Sequence, residues 1–146
     1  GDDVYVGNDN KPVLKQLIDA YDNVLSSVIG MIYVNEDEVS KLGICDFDTT
    51  EVSKTHKLIG VQEKPALAEA KSRYAIGGRY ILSPTIFKYL DSQEKGNANE
   101  IQLTDAILRM MSEEAVYGYE IDGRRYDIGN LESYEKVQKE YLGIKC

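Results

Sequence analysis

The segment from Ser27 to Val34 is apolar almost throughout and constrains the fold more than any other stretch of the chain. A strand with one face in water alternates polar and apolar residues, whereas a strand covered on both faces is continuously apolar. Strands of the second kind lie at the centre of α/β sheets. The segment therefore predicts a central strand with other layers packed on both of its faces.

Further strands are predicted at residues 42–46, 57–64, 74–82 and 116–121. The strands at 42–46 and 57–64 flank the polar segment 47–56, a pattern typical of an antiparallel hairpin with a long tip. Gly77 and Gly78 interrupt the next strand and indicate a bulge or a close backbone approach. Asp122-Gly123 marks a turn, and residues 126–130 are expected to form a short extended piece.

Helices are predicted between these strands from the spacing of apolar residues. One covers Pro12 to Tyr21, a short one ends near Leu90, one is capped by Asn99 with Gln102 three residues later, and a terminal one begins near Leu131. The residues expected to face the core are Val13, Leu14, Leu17, Ile18 and Tyr21 in the first helix, Leu103, Ala106, Ile107, Met110 and Met111 in the third, and Leu131, Tyr134, Val137 and Tyr141 in the last. Alternating strands and helices indicate one layered α/β domain.

Charge and composition exclude several classes of function. The 146 residues carry a net charge of −8, so no basic surface is expected to hold nucleic acid. No apolar run approaches the ~20 residues of a membrane helix. Two cysteines, Cys45 and Cys146, make a poor disulfide framework, and the single histidine, His56, has no evident partner. We interpret all three as structural or incidental, and expect a cytoplasmic protein.

The end of the strand at 57–64 joins an acid, a base and a proline, Glu63-Lys64-Pro65. On these residues alone a solvated ion pair at a strand end is the simpler interpretation. A binding site for a polar, anionic ligand is the alternative. Pro65 is expected to keep Lys64 extended. The two side chains of a regular strand would then point to opposite faces, so a shared ligand must lie across the strand end unless the pleat breaks before Pro65.

Acidic residues near the two ends of the chain form a second candidate site. Asp2-Asp3 and Asp127 lie close to glycines, and each can occupy the end of a strand. Magnesium takes oxygen ligands, often one or two carboxylates with substrate phosphates and water. Aspartate near glycine is also common turn chemistry, so the pattern by itself leaves both interpretations open.

Six motifs in order carry a resemblance to a known family. They are Gly1-Asp2-Asp3, Leu42-Gly43-Ile44-Cys45-Asp46, Val61-Gln62-Glu63-Lys64-Pro65, residues 78–83 (GRYILS), residues 100–107 (EIQLTDAI) and Tyr126-Asp127-Ile128-Gly129-Asn130. With them the chain resembles the C-terminal half of bacterial UTP–glucose-1-phosphate uridylyltransferases, the UDP-glucose pyrophosphorylases. The resemblance implies the C-terminal part of a Rossmann-like nucleotidyltransferase fold, with a mixed sheet, flanking helices and an antiparallel hairpin.

The resemblance also implies roles for individual residues. Asp2 and Asp127 match the metal-binding aspartates, which would hold Mg²⁺, and Asp127 and Lys64 match catalytic positions. The substrate-binding positions are matched by Gly43, Glu63, Lys64, Ile76 and Tyr80. Glu63 would bind glucose hydroxyls and Lys64 the sugar phosphate, while Gly43 would lie with its backbone against the sugar. The implied ligands are UTP, glucose 1-phosphate and UDP-glucose.

The family's N-terminal nucleotide-binding segment, with its G-x-G-T-R loop, has no match in these residues. We therefore expect residues 1–146 to be the sugar-phosphate-binding part of a longer domain and to be inactive alone. Because such a part would expose strand edges and apolar faces, we expect it to self-associate or to form a homo-oligomer.

Two other functions remain open at this stage. One is a thymidylyltransferase or another sugar-1-phosphate nucleotidyltransferase of the same superfamily, because the base is read mostly by the unmatched segment. The other is a non-catalytic module that binds sugar nucleotides. Retention of Asp2, Glu63, Lys64 and Asp127 favours a catalytic ancestry over decay.

Overall fold

The computed structural model describes residues 3–50, 52–92 and 101–144, and the chain divides into two compact units. One unit comprises residues 1–16 and 122–146, and the other residues 17–121. The strands are β1 (Asp3–Gly7), β2 (Ser27–Tyr33), β3 (Gly43–Phe47), β4 (Thr55–Glu63), β5 (Tyr74–Ile81), β6 (Val116–Glu120) and β7 (Gly123–Asp127). The helices are α1 (Val13–Val24), α2 (Glu36–Val39), α3 (Thr85–Asp91), α4 (Leu103–Met110) and α5 (Leu131–Ile144).

The unit formed by both chain ends contains a two-stranded antiparallel sheet of β1 and β7, in which Asp3 lies opposite Asp127. A buried amide ties the two parts of this unit together. Gln16 Nε2 donates to the carbonyl oxygens of Asp122 at 2.7 Å and Lys11 at 3.2 Å, and Gln16 Oε1 accepts from the Asp122 N–H at 2.9 Å. Burial of this polar group is therefore offset by three hydrogen bonds.

The unit of residues 17–121 is built on a mixed sheet that closes on itself in the order β2-β5-β3-β4-β6. β2 pairs antiparallel with β5 and parallel with β6, and β3 and β4 form the predicted antiparallel hairpin. The first five residues of β2 are buried, as expected for a central strand. The mixed sheet and its hairpin are thus confirmed, while its closure into a barrel was not predicted.

Two groups of buried residues fill this unit. The larger is formed by α3 and α4 packed on the sheet: Ile29, Met31, Cys45, Phe47, Leu58, Val61, Ile86, Tyr89, Ala106, Ile107, Met110 and Val116. The smaller comprises Val34, Val39, Ile44 and Ala75. The predicted inward residues Ala106, Ile107 and Met110 of α4 are all fully buried. No helix among the described residues is both long and apolar enough to cross a membrane.

The inward faces of the first and last helices differ from the prediction. In α1 the buried side chains are Val13, Gln16, Leu17 and Ala20, whereas Leu14, Ile18 and Tyr21 are exposed. A polar residue and a small one thus occupy the inner stripe, and the larger apolar ones lie on the neighbouring stripe. Leu131 and Tyr134 of α5 are also exposed, and the side chain of Tyr141 lies outside the described set.

Several boundaries also differ. α4 begins at Leu103 with Gln102 in the N-cap position, so Asn99, which lies outside the described residues, is not its cap. β7 begins at Gly123, directly after Asp122, and is paired along its length with β1. The short helix α2 was not predicted, although Asn35 and Glu38 form a capping box at its start.

Candidate functional site

The antiparallel hairpin brings the first residue of β3 against the last residue of β4. Gly43 lies directly opposite Glu63 in the register of the pair. A Cβ placed on Gly43 would lie 3.4 Å from Glu63 Oε2 and 3.0 Å from Ile76 Cδ1. Glycine at this position therefore lets a carboxylate and an apolar side chain pack closely against the β3 backbone.

Lys64, the residue after β4, does not continue the strand. Its φ is 45°, in the left-handed region, and its N–H donates to the Leu42 carbonyl at 3.2 Å. The prediction that Pro65 keeps Lys64 extended is therefore wrong: the hydrogen bond to the neighbouring segment accompanies a reversal of the backbone at this residue. Non-glycine residues held in this region cluster at functional sites, because the surrounding structure must compensate the strain.

The reversal places the two charged side chains together. Lys64 Nζ lies 3.7 Å from Glu63 Oε1, with side-chain exposures of 59% for Lys64 and 27% for Glu63. The expectation that a ligand must lie across a regular strand end is thus corrected. The pleat breaks at Lys64, so carboxylate and ammonium face the same space.

Ile76 and Tyr80 reach the same region from β5. The pairing of β2 with β5 shifts register between Ile29 and Met31, opposite a Gly78 with φ 67°, so the predicted bulge is present. Burial, followed by the charges of Cys45 and Glu63, raises the pKa of the Tyr80 phenol against the opposing effect of Arg79. Tyr80 is partly buried and packs against the larger group of core residues.

Four of the five predicted substrate-binding residues are therefore brought together within one unit, although they come from three strands. They are Gly43, Glu63, Lys64 and Ile76. The fifth, Tyr80, lies on the same strand as Ile76. Sequence reasoning named none of the helical residues beside them. Thr104 of α4 has its Oγ1 3.4 Å from the Cβ position of Gly43. The only signal in the sequence was its place in the motif at residues 100–107.

The acidic candidates lie in the other unit, and the structure brings two ends of the chain together there. Asp3 faces Asp127 across the β1–β7 pair, which places both side chains on one face of the sheet. Arg125 Nε donates to Asp3 Oδ1 at 2.7 Å, so the Asp3 carboxylate is already paired. Asp2 lies outside the described residues.

Local hydrogen bonds fix the chain around Asp127. Its Oδ1 accepts from the Gly129 N–H at 2.7 Å, and the Asn130 side chain accepts from the Ser133 N–H at 2.9 Å at the start of α5. Burial opposes the charged form of Arg125, but its hydrogen bond to Asp3 and nearby negative charges raise its pKa above the ordinary value. Arg125 therefore remains a cation in the sheet that presents Asp127.

The carboxylates of this unit suit a magnesium ion shared with a ligand better than a closed metal site. No group of three or more potential metal ligands exists among the residues that the structure describes. Asp127 is exposed and has an oxygen left over after its bond to Gly129. Mg²⁺ is commonly held by one or two carboxylates, with water and phosphate oxygens completing the octahedron, so the donors present fit that ion.

A cavity of about 390 Å³ adjoins Asp127 in this unit. Its lining residues are Arg124, Arg125, Tyr126, Asp127, Ser133, Lys136 and Val137. Three of these side chains are cationic, in a chain whose net charge is −8. The cavity therefore concentrates positive charge beside an exposed carboxylate, an environment that favours anionic ligands.

His56 and Cys45 are both buried, but the expectation that His56 has no partner is wrong. His56 is buried with Nε2 2.9 Å from Glu120 Oε1, and its ring stacks at 4.5 Å from that of Phe47. Burial raises the pKa of the Cys45 thiol to about 12, so this thiol is neither a nucleophile nor a metal ligand at neutral pH. Cys146 lies outside the described residues.

Comparison with known proteins agrees with the geometry. The model of the family described as "Nucleotidyl transferase" matches residues 1–143. The chain is 43% identical over 141 residues to a UTP–glucose-1-phosphate uridylyltransferase of Staphylococcus epidermidis, covering 97% of this chain and 48% of that protein. It therefore spans about half the length of the curated relatives that it matches.

Two solved structures share the architecture. The crystal structure of an apo UDP-glucose pyrophosphorylase matches with a TM-score of 0.92 and 33% identity, over 99% of this chain and 53% of the other. A UDP-glucose pyrophosphorylase complexed with UDP-glucose matches with a TM-score of 0.89 and 34% identity, over 97% and 53%. The expected nucleotidyltransferase fold is confirmed.

Proposed function

The chain belongs to the nucleotidyl transferase family, and from that membership we propose that it forms the sugar-phosphate-binding part of a UTP–glucose-1-phosphate uridylyltransferase. In the proposed reaction an oxygen of the glucose 1-phosphate phosphate attacks the α-phosphorus of UTP. The bond from that phosphorus to the bridging oxygen breaks, pyrophosphate leaves, and UDP-glucose forms. The observation that carries this proposal is the convergence of Gly43, Glu63 and Lys64 at one end of the hairpin.

Glu63 and Lys64 divide the recognition of the sugar phosphate between them. Glu63 accepts hydrogen bonds from glucose hydroxyls, because an ionised carboxylate is an acceptor only. Lys64 contributes a point charge to the phosphate and offsets the repulsion between two anionic substrates. The 3.7 Å between Nζ and Oε1 sets both groups within reach of one hexose phosphate. Ile76 and Tyr80 supply the walls, and Gly43 lets the backbone approach the ring.

Asp127 is proposed to hold Mg²⁺ together with Asp2, with substrate phosphates as the remaining ligands. Bound there, the ion would screen the negative charge that builds up on the phosphates. Arg125 pairs with Asp3, so the negative charge of Asp3 beside Asp127 is offset.

Uridylyl rather than thymidylyl transfer is the preferred specificity, because the curated relatives at 42–43% identity are uridylyltransferases. We place the reaction in the cytoplasm, a location that agrees with the buried free thiol of Cys45. The 146 residues contain no G-x-G-T-R loop, so alone they are proposed to bind UDP-glucose without turning over UTP.

Calorimetry with UDP-glucose and Mg²⁺ on the 146-residue chain tests the binding function. Lys64→Ala is expected to weaken binding at least tenfold, since a charge-assisted contact to phosphate contributes about 1.5–3 kcal/mol. Lys57→Ala is the matched control, because Lys57 is an exposed lysine on the same strand with no role in the site. Equal binding by wild type and Lys64→Ala would remove Lys64 from the site, and absence of binding by the wild type would reject the function.

A further inference from the structure

The cavity between β7 and α5 is lined by a tyrosine whose buried hydroxyl no described residue satisfies. Tyr126 is 6% exposed, and its hydroxyl has no hydrogen-bond partner among the described atoms. A buried polar group without a partner costs free energy, so native proteins usually satisfy such groups with protein atoms, ordered water or a ligand. Because Tyr126 lines the cavity of about 390 Å³, a ligand bound there can supply the missing partner.

The strand and the helix each contribute a cation to this cavity. Arg124 and Tyr126 are two residues apart on β7, so their side chains leave the same face of the two-stranded sheet. On α5 the lining residues Ser133, Lys136 and Val137 are three and four residues apart and share one helical face. A guanidinium from the strand and an ammonium from the helix therefore adjoin the cavity with the tyrosine.

The carboxylate candidate for magnesium leaves the other face of this sheet. Arg125 and Asp127 alternate with Arg124 and Tyr126 along β7, so their side chains point the opposite way. There Arg125 Nε donates to Asp3 Oδ1 at 2.7 Å. The side chains that share the face of Arg124 are thus separated by the sheet from the magnesium position proposed at Asp127.

The groups around the cavity define the chemistry of a ligand. A guanidinium, an ammonium and a tyrosine hydroxyl all donate hydrogen bonds, and two of them carry a positive charge. A carboxylate ligand has two oxygens to accept these bonds, whereas a phosphoryl group has three and suits the planar fork of an arginine. A volume of about 390 Å³ leaves room for more than one phosphoryl group.

We infer that the cavity between β7 and α5 binds a phosphorylated anion such as pyrophosphate, held by Arg124, Lys136 and the Tyr126 hydroxyl without a metal ion. This site goes beyond the proposed function and does not depend on it, because none of the three residues belongs to the proposed sugar-phosphate or magnesium site. A bound anion completes the hydrogen bonding of Tyr126 and links α5 to β7, so it stabilises the folded chain.

Calorimetry of the 146-residue chain with pyrophosphate in metal-free buffer tests the site. The wild type should bind about one equivalent. Arg124→Ala and Lys136→Ala should each weaken binding about tenfold, because each removes a charge-assisted contact, and Tyr126→Phe should weaken it about fivefold. Inorganic phosphate and UMP are titrated in the same buffer, and the tightest of the three anions identifies the phosphorylated ligand that the cavity accommodates.

Lys139→Ala and Tyr134→Phe are the matched controls. Lys139 is an exposed lysine on the same helix that does not line the cavity, and Tyr134 is an exposed tyrosine whose hydroxyl accepts from Gln138 Nε2 at 2.9 Å. Both variants should bind pyrophosphate as the wild type does. Asp127→Ala should not weaken binding in metal-free buffer, because its carboxylate leaves the opposite face. Urea unfolding of each variant verifies that the fold is intact.

Four outcomes overturn the inference. If the wild type binds none of the three anions at about 0.05 M salt, the site is rejected and the proposed function is unaffected. If Arg124→Ala and Tyr126→Phe both keep wild-type affinity, the anion binds elsewhere. If Lys139→Ala weakens binding as much as Lys136→Ala, the attraction is to the charge of α5 in general. If binding requires Mg²⁺ and is lost in Asp127→Ala, the anion belongs to the magnesium position.

Discussion

At the scale of single residues, Lys64 holds a backbone conformation that costs about 1–2 kcal/mol for an L-amino acid with a side chain. The cost is incurred where the chain turns its ammonium group back towards Glu63. The same conformation occurs at Leu25, φ 51°, an exposed residue that follows α1 and has no part in the site. Comparing variants at Lys64 and at Leu25 therefore allows the free energy of backbone strain to be measured separately from ligand binding.

Glycine at either position is expected to stabilise the fold. Glycine adopts positive φ readily, but its larger unfolded-state entropy offsets part of the gain, leaving about 0.5–1 kcal/mol. Lys64→Gly and Leu25→Gly should both raise the urea midpoint of unfolding, while only Lys64→Gly should lose affinity for UDP-glucose. A lower urea midpoint for Lys64→Gly would contradict this expectation. It would show that contacts of the lysine side chain stabilise the fold by more than the backbone strain costs.

At the scale of elements, the seam between β4 and β6 is short and carries one buried polar contact. Among the described residues, Thr55, His56 and Lys57 of β4 pair with β6, and the Glu120 N–H donates to the Lys54 carbonyl at 2.8 Å. Beside this seam the buried His56 lies 2.9 Å from Glu120, the last residue of β6, and His56 Nδ1 has no partner among the described atoms. Among the described residues, Glu120 is therefore the hydrogen-bond partner that satisfies this buried imidazole.

Glu120→Ala is expected to destabilise the unit by about 1–3 kcal/mol, because it leaves a buried imidazole with neither nitrogen paired. Glu113→Ala is the control: it removes a closer but exposed ion pair with Lys88, at 2.6 Å, and should change stability little. Glu120→Gln should recover most of the loss. Equal urea midpoints for Glu120→Ala and Glu113→Ala would contradict a structural role for the buried contact.

The existence and type of most elements followed from periodicity, because β2 is apolar throughout and α4 has a clear inner stripe. The inner face of α1 did not follow, since Gln16 is buried by hydrogen bonds to main-chain groups distant in sequence. The reversal at Lys64 was missed for a related reason. The local preference of a residue before proline was outweighed by the hydrogen bond from its N–H to Leu42.

The roles of the candidate site residues stay predictions, and the structure speaks only to their placement. Motif positions identified Gly43, Glu63, Lys64, Ile76 and Tyr80, and the hairpin brings the first four close to one another. Thr104 could not be singled out in the same way. Its place beside Gly43 depends on how α4 packs against the hairpin, which neither composition nor spacing encodes.

At the scale of the whole molecule, large apolar side chains remain in water in both units. They include Leu25, Tyr33, Ile59, Phe87 and Leu131, each more than 60% exposed. Scattered apolar residues are ordinary on protein surfaces, but so many large ones favour association. The net charge of −8 opposes contact between identical copies, and this repulsion is screened by salt.

We therefore expect the chain to self-associate, and to do so more strongly at high ionic strength. Sedimentation equilibrium at about 0.05 M and 0.5 M salt should show a mean mass that rises with concentration, more steeply in the second buffer. Ile59→Ser and Phe87→Ser should lower that mass, whereas Lys57→Ala should not. A single 16.4 kDa species at every concentration in both buffers would refute the expectation.

The parallel pairing of β2 with β6 has a consequence for how the protein is made. β2 ends at Tyr33, and β6 begins only at Val116. Translation adds roughly 5–20 residues per second, so one edge of the most apolar strand waits on the order of 5–15 s for its neighbour to leave the ribosome. During that interval the nascent chain exposes an unpaired edge of an apolar strand, with which other polypeptides can pair. Pauses between codons 33 and 116 should therefore lower the soluble yield more than pauses of the same length after codon 120.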